Sequence, residues 1–194
     1  MVEFDVRRTA DGQLVAFHDP TVDHVPVGRL TRAEMTERLG FAPALLVEVL
    51  ELTAGRIALD VELKEDGYVD EVVDAVLDHH PHETTVFTSF VDEVVRRVKA
   101  RGPLRAGLLL GRAHVATFLP VTRARRVRAD FVAVHHRLVA AGMLRAAASA
   151  GFPALVWTVN DERALARLLA DPRVLGVVTD VPGLAVGLLG RRTA

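Results

Sequence analysis

The chain opens with a segment in which polar and apolar residues alternate. Successive side chains of an extended strand point to opposite faces, so in residues 2–7 the acidic Glu3 and Asp5 share one face and the apolar residues share the other. A turn at residues 11–12 and a second apolar run at 14–17 predict a returning strand. The pattern therefore predicts a hairpin whose first strand presents carboxylates on a single face.

The same alternation returns in residues 57–64, where Asp60, Glu62 and Lys64 share a face. A buried charge costs several kcal/mol unless it is paired or bound to a metal, so two such strands need an explanation, and a divalent cation is one. The lysine is a point charge that suits a phosphate oxygen. His18, at the end of the hairpin, could move a proton. Together these residues indicate metal-assisted phosphoryl chemistry.

Helical and strand patterns alternate through the rest of the chain. Thr31 and Glu34 form a capping-box pattern for a helix that ends near Gly40, and a second short helix is predicted at 44–52. Further apolar residues follow helical spacing at positions 69, 72, 73, 76 and 77. The remaining pattern predicts strands at 85–89, 105–110, 130–135, 154–159 and 176–179, and helices at 92–101, 113–121, 138–150 and 162–170. Such alternation indicates a parallel α/β sheet, and functional residues at strand ends favour a (β/α)₈ barrel over an open sheet.

Composition narrows the class of protein. With 194 residues, half of them hydrophobic, the chain can form one domain over residues 1–194. Its formal net charge is −1 and it lacks a long basic run, so a nucleic-acid partner is not expected. The absence of cysteine excludes disulfides and thiolate metal sites. No apolar stretch is long enough to span a membrane, and Met1 leads directly into a strand, so a cytoplasmic location is expected unless a signal peptide precedes this segment.

At the residues singled out above, the chain resembles the glycerophosphodiester phosphodiesterase family. The family patterns read roughly E-x-D-V-x-x-T-x-D-G, H-D-P-T-x-D and x-E-x-K. This chain reads E-F-D-V-R-R-T-A-D-G at 3–12, H-D-P-T-V-D at 18–23 and V-E-L-K at 61–64, with further similarity at 88–90, 156–160 and 176–182. The resemblance covers almost the whole chain, and the combination is more specific than any single motif.

The resemblance implies an α/β fold, a (β/α)₈ TIM barrel of the phospholipase-C-like phosphodiesterase type. It implies metal-dependent hydrolysis of glycerophosphodiesters to glycerol 3-phosphate and an alcohol, a reaction of lipid metabolism on a small-molecule substrate. By the same resemblance, Glu3, Asp5 and Glu62 would hold the cation, Lys64 would help to bind phosphate, and His18 would protonate the leaving oxygen. Oxygen ligands suit Mg²⁺ or Ca²⁺ and do not choose between them.

Each of these residues also has a purely structural interpretation. The carboxylates could lie on an exposed edge strand, His18 could be an ordinary turn residue, and Lys64 could form an ion pair with Asp60 or Glu62. Trp157 is placed at the site mouth by the family resemblance and predicted to bind substrate, although a lone tryptophan on a strand is as often a core residue.

Polar residues outside the motifs have ordinary interpretations. Asn160 or Asp161 is predicted to cap the following helix. The histidines at 79, 80 and 82 are interpreted as polar residues at the end of a helix, because helix C-termini favour histidine. His135 and His136 lie at the functional end of a strand, but no family motif includes them.

The strand count raises a question about the start of the chain. Seven strands are predicted for the barrel, whereas the family has eight, and the family's first strand carries a His-Arg pair that is absent upstream of Glu3. The resemblance implies two catalytic histidines, of which His18 matches only the second. We therefore expect the barrel to lack its first βα unit and the recorded start to be internal to a longer chain. A chain that truly starts at Met1 would leave unpaired sheet edges and favour a dimer or a partner.

Two alternatives stay open. The first is a degenerate barrel that binds metal or phosphate without turnover, or needs a partner to complete its fold. The second is a phospholipase-D-like toxin barrel, which is disfavoured by the absence of cysteine and of an apolar loop that could face lipid. The expectation is therefore that the full-length protein is a phosphoric diester hydrolase.

Overall fold

The computed structural model of the protein describes residues 1–111 and 120–190. The chain forms two compact units, Met1–Ala106 and Gly107–Ala194, and each is described by itself. Most of the helix predicted at 113–121 lies outside the described residues. The expectation of a single domain stays a prediction.

The first unit contains a sheet, flanking helices and a small separate hairpin. In chain order its elements are β1 (Val2–Arg8), β2 (Leu14–Ala16), β3 (Thr21–Val22), β4 (Val25–Pro26), α1 (Arg32–Leu39), α2 (Leu46–Thr53), β5 (Leu59–Leu63), α3 (Val69–His79), β6 (Thr85–Ser89) and α4 (Asp92–Ala100). Strand β1 pairs antiparallel with β2 and parallel with β5, and β5 pairs parallel with β6. The predicted hairpin and both carboxylate-bearing strands are present.

The register between β1 and β5 places acidic residues side by side. Glu3 lies opposite Asp60, and Asp5 lies opposite Glu62. Paired residues on neighbouring strands point to the same face of a sheet. Four carboxyl groups are therefore gathered on one face, which is the feature that the alternation of residues predicted.

The helices of the first unit follow their sequence patterns closely. The Thr31 hydroxyl accepts a hydrogen bond from the Glu34 amide, the Glu34 carboxylate accepts from the Thr31 amide, and Gly40 ends α1 in the left-handed conformation with φ 75°. The capping box and its glycine stop are thus confirmed. Helix α3 buries Val69, Val72, Val73 and Val76. The exception is Leu77, which is 43% exposed, so the apolar stripe is narrower than predicted.

Residues 21–43 contain more structure than the sequence pattern indicated. Besides α1, this segment forms the β3–β4 hairpin and a separate apolar cluster made of Val22, Val27, Leu30 and Met35. Phe17, just before His18, packs partly buried against this cluster. The segment after the first hairpin therefore has a small core of its own.

The second unit continues the alternation of strands and helices. Strand β7 (Arg105–Leu110) begins at the end of the first unit, and then come α5 (Pro120–Arg126), β8 (Phe131–His135), α6 (His136–Val139), α7 (Met143–Ser149), β9 (Ala154–Trp157), α8 (Glu162–Leu169), β10 (Val174–Val177) and α9 (Pro182–Gly190). Strands β7 to β10 pair parallel in chain order. All seven strands predicted for the barrel are therefore present among the described residues. None of the described helices has the length and apolar character needed to cross a membrane.

Two predictions for the second unit need correction, and one of its helices was not predicted. The single helix predicted at 138–150 is two helices, α6 and α7, because Gly142 adopts a left-handed conformation with φ 83° between them. The last strand is Val174–Val177 rather than 176–179. Helix α9 was not predicted, although Pro182 at its first position is a common helix start.

Candidate active site

Three carboxylates of the first unit form a group. The side chains of Glu3, Asp5 and Glu62 each offer an oxygen atom, and these atoms all lie within 4.8 Å of one another. Strand β1 supplies the first two residues and β5 supplies the third, and the register between the strands brings them together. The three residues predicted as metal ligands are therefore neighbours in space.

Lys64 lies against this group at the end of β5. Its ammonium nitrogen is 2.7 Å from Asp5 Oδ1 and 2.5 Å from Glu62 Oε1, and its side chain is 14% exposed. Burial alone would lower the pKa of Lys64, but hydrogen bonds to the two carboxylates raise it above its ordinary value. The ion-pair interpretation of Lys64 is realised with Glu62 and with Asp5, whereas Asp60 has a different partner.

Asp60 lies opposite Glu3 but is not one of the three grouped carboxylates. Its carboxylate accepts a hydrogen bond of 2.8 Å from the Thr88 hydroxyl on β6, and the residue is 3% exposed. Burial, opposed by the Thr88 hydrogen bond and reinforced by the charges of Glu62 and Asp5, raises the pKa of Asp60 to about 7. When ionised, Asp60 therefore adds negative charge next to the group, while its own hydrogen bond is made with Thr88.

Each of these carboxylates makes ionisation of its neighbours less favourable. Although Glu3 is an exposed residue, desolvation of its carboxyl group raises its pKa to about 8, and the charges of Asp5, Asp60 and Glu62 act in the same direction. Burial also raises the pKa of Glu62, although Lys64 opposes this shift. Carboxyl groups held together in this way are stabilised by added positive charge.

A divalent cation fits the donor set of this group. Glu3, Asp5 and Glu62 offer only carboxylate oxygens, the ligands preferred by Mg²⁺ and Ca²⁺. When all three are ionised, their negative charge exceeds the single positive charge of Lys64. Both the ligand type and the charge of the group therefore agree with a site for a hard divalent cation.

His18 lies on the turn that follows β2. The amide of the preceding Phe17 donates a 3.0 Å hydrogen bond to the carbonyl oxygen of Asp5, which ties this turn to β1. The imidazole is 74% exposed, and its Nδ1 atom is 2.8 Å from Asp19 Oδ1. If Nδ1–H donates to the carboxylate, Nε2 is the nitrogen that faces away from Asp19.

Arg7 and Glu65 are site residues whose part the sequence did not reveal. Arg7 is 7% exposed, and it donates from Nε and Nη2 to the carbonyl oxygen of His18 at 3.1 and 2.9 Å. Its Nη1 atom contacts the Glu65 carboxylate. The alternation in β1 placed Arg7 on the face of Glu3 and Asp5, which was a usable signal, but nothing local indicated a partner 58 residues away.

A cavity of about 500 Å³ adjoins this pair. It lies between the end of β1, the start of the β3–β4 region and the loop before α3, and its lining includes Arg7, Pro20, Val27, Glu65 and Tyr68. Positively and negatively charged side chains both reach it. The Arg7 side chain therefore both contacts the His18 backbone and lines the cavity.

The second unit contains the remaining predicted site residue. Trp157, at the end of β9, donates from its indole nitrogen to the carbonyl oxygen of Ala133 at 2.9 Å. Its ring meets that of His135 edge to face at 4.9 Å, and His135 stacks on His136 at 4.5 Å. These contacts show how the tryptophan is held, and its part in substrate binding stays a prediction.

Asn160 and Asp161 have separate tasks. Asp161 caps α8 by accepting a hydrogen bond of 2.8 Å from the Ala164 amide. Asn160 instead joins the loops after β9 and β10, because its side chain donates to Asp180 Oδ2 at 2.6 Å and accepts from the Thr179 hydroxyl at 3.1 Å. The cap predicted at either position is therefore provided by Asp161.

Known structures with a similar fold define the class of the protein. A glycerophosphodiester phosphodiesterase from Parabacteroides distasonis matches with a TM-score of 0.82 and 21% identity, covering 99% of this chain and 84% of the other. A phosphodiesterase from Oleispira antarctica, solved in complex with the product sn-glycerol-3-phosphate, matches with a TM-score of 0.79 and 20% identity, covering 97% and 84%. The protein thus has an α/β fold of the TIM-barrel type found in phosphodiesterases.

Sequence comparison then assigns the family. A curated glycerophosphodiester phosphodiesterase from Caldanaerobacter subterraneus subsp. tengcongensis is 25% identical over 210 residues, which cover 97% of this chain and 85% of the relative. The model of the glycerophosphoryl diester phosphodiesterase family matches residues 1–53 and 56–184. The chain belongs to this family of phosphoric diester hydrolases.

Proposed function

We propose that the protein hydrolyses glycerophosphodiesters to glycerol 3-phosphate and an alcohol with the help of a divalent cation. The observation that carries the proposal is the group formed by Glu3, Asp5 and Glu62, with Lys64 against it, in a chain of this family. Glycerophosphodiesters are the head-group portions of glycerophospholipids, which places the reaction in lipid metabolism. The substrate is a small molecule with one negative charge on its phosphodiester.

Glu3, Asp5 and Glu62 are the residues that would hold the cation. When bound, Mg²⁺ or Ca²⁺ would neutralise phosphate charge and favour attack at phosphorus. The Lys64 ammonium group already contacts two of these carboxylates, those of Asp5 and Glu62. Its ammonium group could therefore contact a phosphate oxygen next to the cation, with a point charge that needs no fixed direction.

His18 supplies the proton for the leaving alcohol. Asp19 lies at Nδ1, so the protonated imidazole presents Nε2–H on the opposite side of the ring. Transfer of that proton to the leaving oxygen avoids release of an alkoxide into the site. Trp157 is proposed as a substrate contact, on the strength of the family resemblance alone.

The test is release of glycerol 3-phosphate from glycerophosphocholine by the purified chain, with Mg²⁺, with Ca²⁺ or with EDTA. Hydrolysis that requires a divalent cation and falls about 10²- to 10⁴-fold in His18→Ala would support the proposal. His79→Ala, an exposed histidine on α3 that pairs with Glu51, is the matched control and should retain full turnover. Cation binding without turnover would instead support a barrel that binds metal without turnover or that needs a partner to complete its fold.

The metal assignment has its own test. Calorimetric titration of the chain with MgCl₂ or CaCl₂ should show binding that Glu62→Gln weakens by at least tenfold. The exposed Glu71, which pairs with Arg8, provides the control variant Glu71→Gln. Equal affinity in Glu62→Gln and the unmodified protein would contradict the carboxylate site.

A further inference from the structure

Arg7 makes an unusual set of contacts for an arginine on a sheet. Two nitrogen atoms of one guanidinium group, Nε and Nη2, converge on the single carbonyl oxygen of His18. The third nitrogen contacts the Glu65 carboxylate. A buried guanidinium needs such partners, because an unpaired charge in the interior costs several kcal/mol.

Glu65 is itself held by β1. The Tyr68 hydroxyl lies 2.5 Å from Glu65 Oε2 and 2.7 Å from the carbonyl oxygen of Val6, the residue before Arg7. Because this hydroxyl has one proton, it donates to one of these oxygens at a time, and Tyr68 lies between Glu65 and the strand that carries Arg7. This arrangement fixes the guanidinium at one end by a carboxylate and at the other by the His18 backbone.

The His18 ring depends on its backbone for position. It is largely exposed and pairs with its sequence neighbour Asp19, which moves with the same turn. The turn is attached to β1 by two sets of contacts: the Phe17 amide on the Asp5 carbonyl oxygen, and Arg7 on the His18 carbonyl oxygen. Asp5 also belongs to the carboxylate group. A single strand thus sets the distance between the carboxylates and the turn that bears the histidine.

We propose that Arg7 is a positioning residue, which with Glu65 holds the His18 turn at the distance from the carboxylate group that proton transfer requires. The inference rests on the proposed function, in which His18 delivers a proton to the leaving oxygen. An error of about 1 Å in the position of a catalytic group can lower turnover by about a hundredfold. Arg7 contacts no reacting atom in this scheme and acts through His18.

The test compares Arg7→Lys with Arg96→Lys. Lysine keeps the positive charge, but its single nitrogen cannot converge on the carbonyl oxygen and the Glu65 carboxylate in the same way. Arg96, an exposed residue of α4 that forms an ion pair with Glu93, is the control. We expect Arg7→Lys to lower kcat about tenfold or more, with KM changed less than threefold, and Arg96→Lys to change neither.

The pH profile separates positioning from an electrostatic effect. If Arg7 only positions the turn, Arg7→Lys lowers kcat at every pH and leaves the midpoint of the alkaline limb unchanged. A variant that shifted this midpoint while keeping the maximal rate would show that Arg7 acts on the charge of His18, and would overturn the proposal. Glu65→Gln, at a half-exposed side chain, should give a smaller loss of the same kind.

Amide hydrogen exchange reports on the turn without any reference to activity. Arg7→Lys should speed exchange at the Phe17 amide, which donates to the Asp5 carbonyl oxygen, at least tenfold and leave the amides of β5 and β6 unchanged. Arg96→Lys should match the unmodified protein. Unchanged exchange at the Phe17 amide, or unchanged kcat, would overturn the inference. If Arg7→Lys does not fold, Glu65→Gln decides by the same two measurements.

Failure of the proposed function would look different. An unmodified protein that releases no glycerol 3-phosphate, or a His18→Ala variant with full turnover, would remove the reaction on which the inference rests. In that case faster exchange in Arg7→Lys would show only that Arg7 stabilises the structure of the turn. The positioning role would be rejected together with the function.

Discussion

Asp5 on β1 lies directly opposite Glu62 on β5, and both carboxylates contact the ammonium group of Lys64. Two like charges directly opposite each other on neighbouring strands repel, so the pairing depends on the lysine or on another cation. This relationship allows the contribution of one positive charge to be measured by substitution.

The first prediction concerns the loss of that charge. Lys64→Gln should destabilise the metal-free protein by about 1–3 kcal/mol, because Asp5 and Glu62 then face each other with reduced neutralisation. Denaturant unfolding in EDTA measures the change. The double variant Lys64→Gln/Glu62→Gln should recover most of the loss, since it removes the repulsion as well as the ion pair. A double variant that is as unstable as the sum of its parts would contradict this account.

The second prediction is a pH dependence of stability. The pKa of Asp60, about 7, is raised above that of an unfolded aspartate, so the folded state keeps a proton that the unfolded chain has released. The stabilising effect of that proton is present at low pH and is lost as pH rises through about 7. Asp60→Asn should therefore be more stable than the unmodified protein at pH 8 in EDTA, by about 2 kcal/mol, and the gain should shrink towards pH 5.

Urea unfolding at several pH values checks this prediction. Asp78→Asn, at an exposed position on α3, is the control and should show no comparable trend with pH. A less stable Asp60→Asn at pH 8 would indicate that the charged carboxylate and its Thr88 hydrogen bond stabilise the fold. Burial would then not be the dominant influence on this group.

The third prediction concerns two adjacent histidines. The interpretation of residues 79, 80 and 82 as polar residues at a helix end is wrong for His80, which is buried and only 5% exposed. Its Nδ1 atom lies 2.9 Å from the Thr85 hydroxyl and its Nε2 atom 3.3 Å from the Ile57 carbonyl oxygen. His80→Ala should cost about 1–3 kcal/mol of unfolding free energy, because it removes these two hydrogen bonds and leaves a cavity at a buried position. His79→Ala, on the exposed side, should change stability by less than about 0.5 kcal/mol.

The fourth prediction compares two glycines of the second unit. A Cβ atom on Gly107 would lie 2.2 Å from the ring of Phe131, which is 1% exposed. Gly107→Ala should therefore destabilise the protein by about 1–3 kcal/mol. On α9, Gly183 has no atom within 4 Å of such a Cβ, so Gly183→Ala should be neutral or stabilising by up to about 1 kcal/mol. Thermal unfolding of both variants gives the comparison, and equal midpoints would contradict it.

Sequence periodicity was sufficient where structure follows from neighbouring residues. The alternation in β1 and β5 placed Glu3, Asp5 and Glu62 on one face, and the capping box with Gly40 defined α1. Both patterns act within a few residues, so they are visible in the chain itself. Their tertiary consequence, the grouping of the three carboxylates, required only that the two strands pair in register.

What the sequence did not reveal depends on distant partners or on backbone conformation. The contact between Arg7 and Glu65 joins residues 58 positions apart, and the burial of His80 depends on Thr85 and the Ile57 backbone. The break at Gly142 comes from a left-handed backbone conformation, which the spacing of apolar residues does not indicate. Such features follow from the folded arrangement, and a pattern in one segment cannot show them.

The apolar cluster of Val22, Val27, Leu30 and Met35 has a consequence for how this protein can diversify. Because the segment after the His18 turn packs around a small core of its own, substitutions there can reshape one wall of the cavity without altering the β1–β5 pairing. Evolution can therefore vary the lining of this cavity while Glu3, Asp5, Glu62, Lys64 and Arg7 keep their positions, provided that the packing of Phe17 beside His18 is preserved.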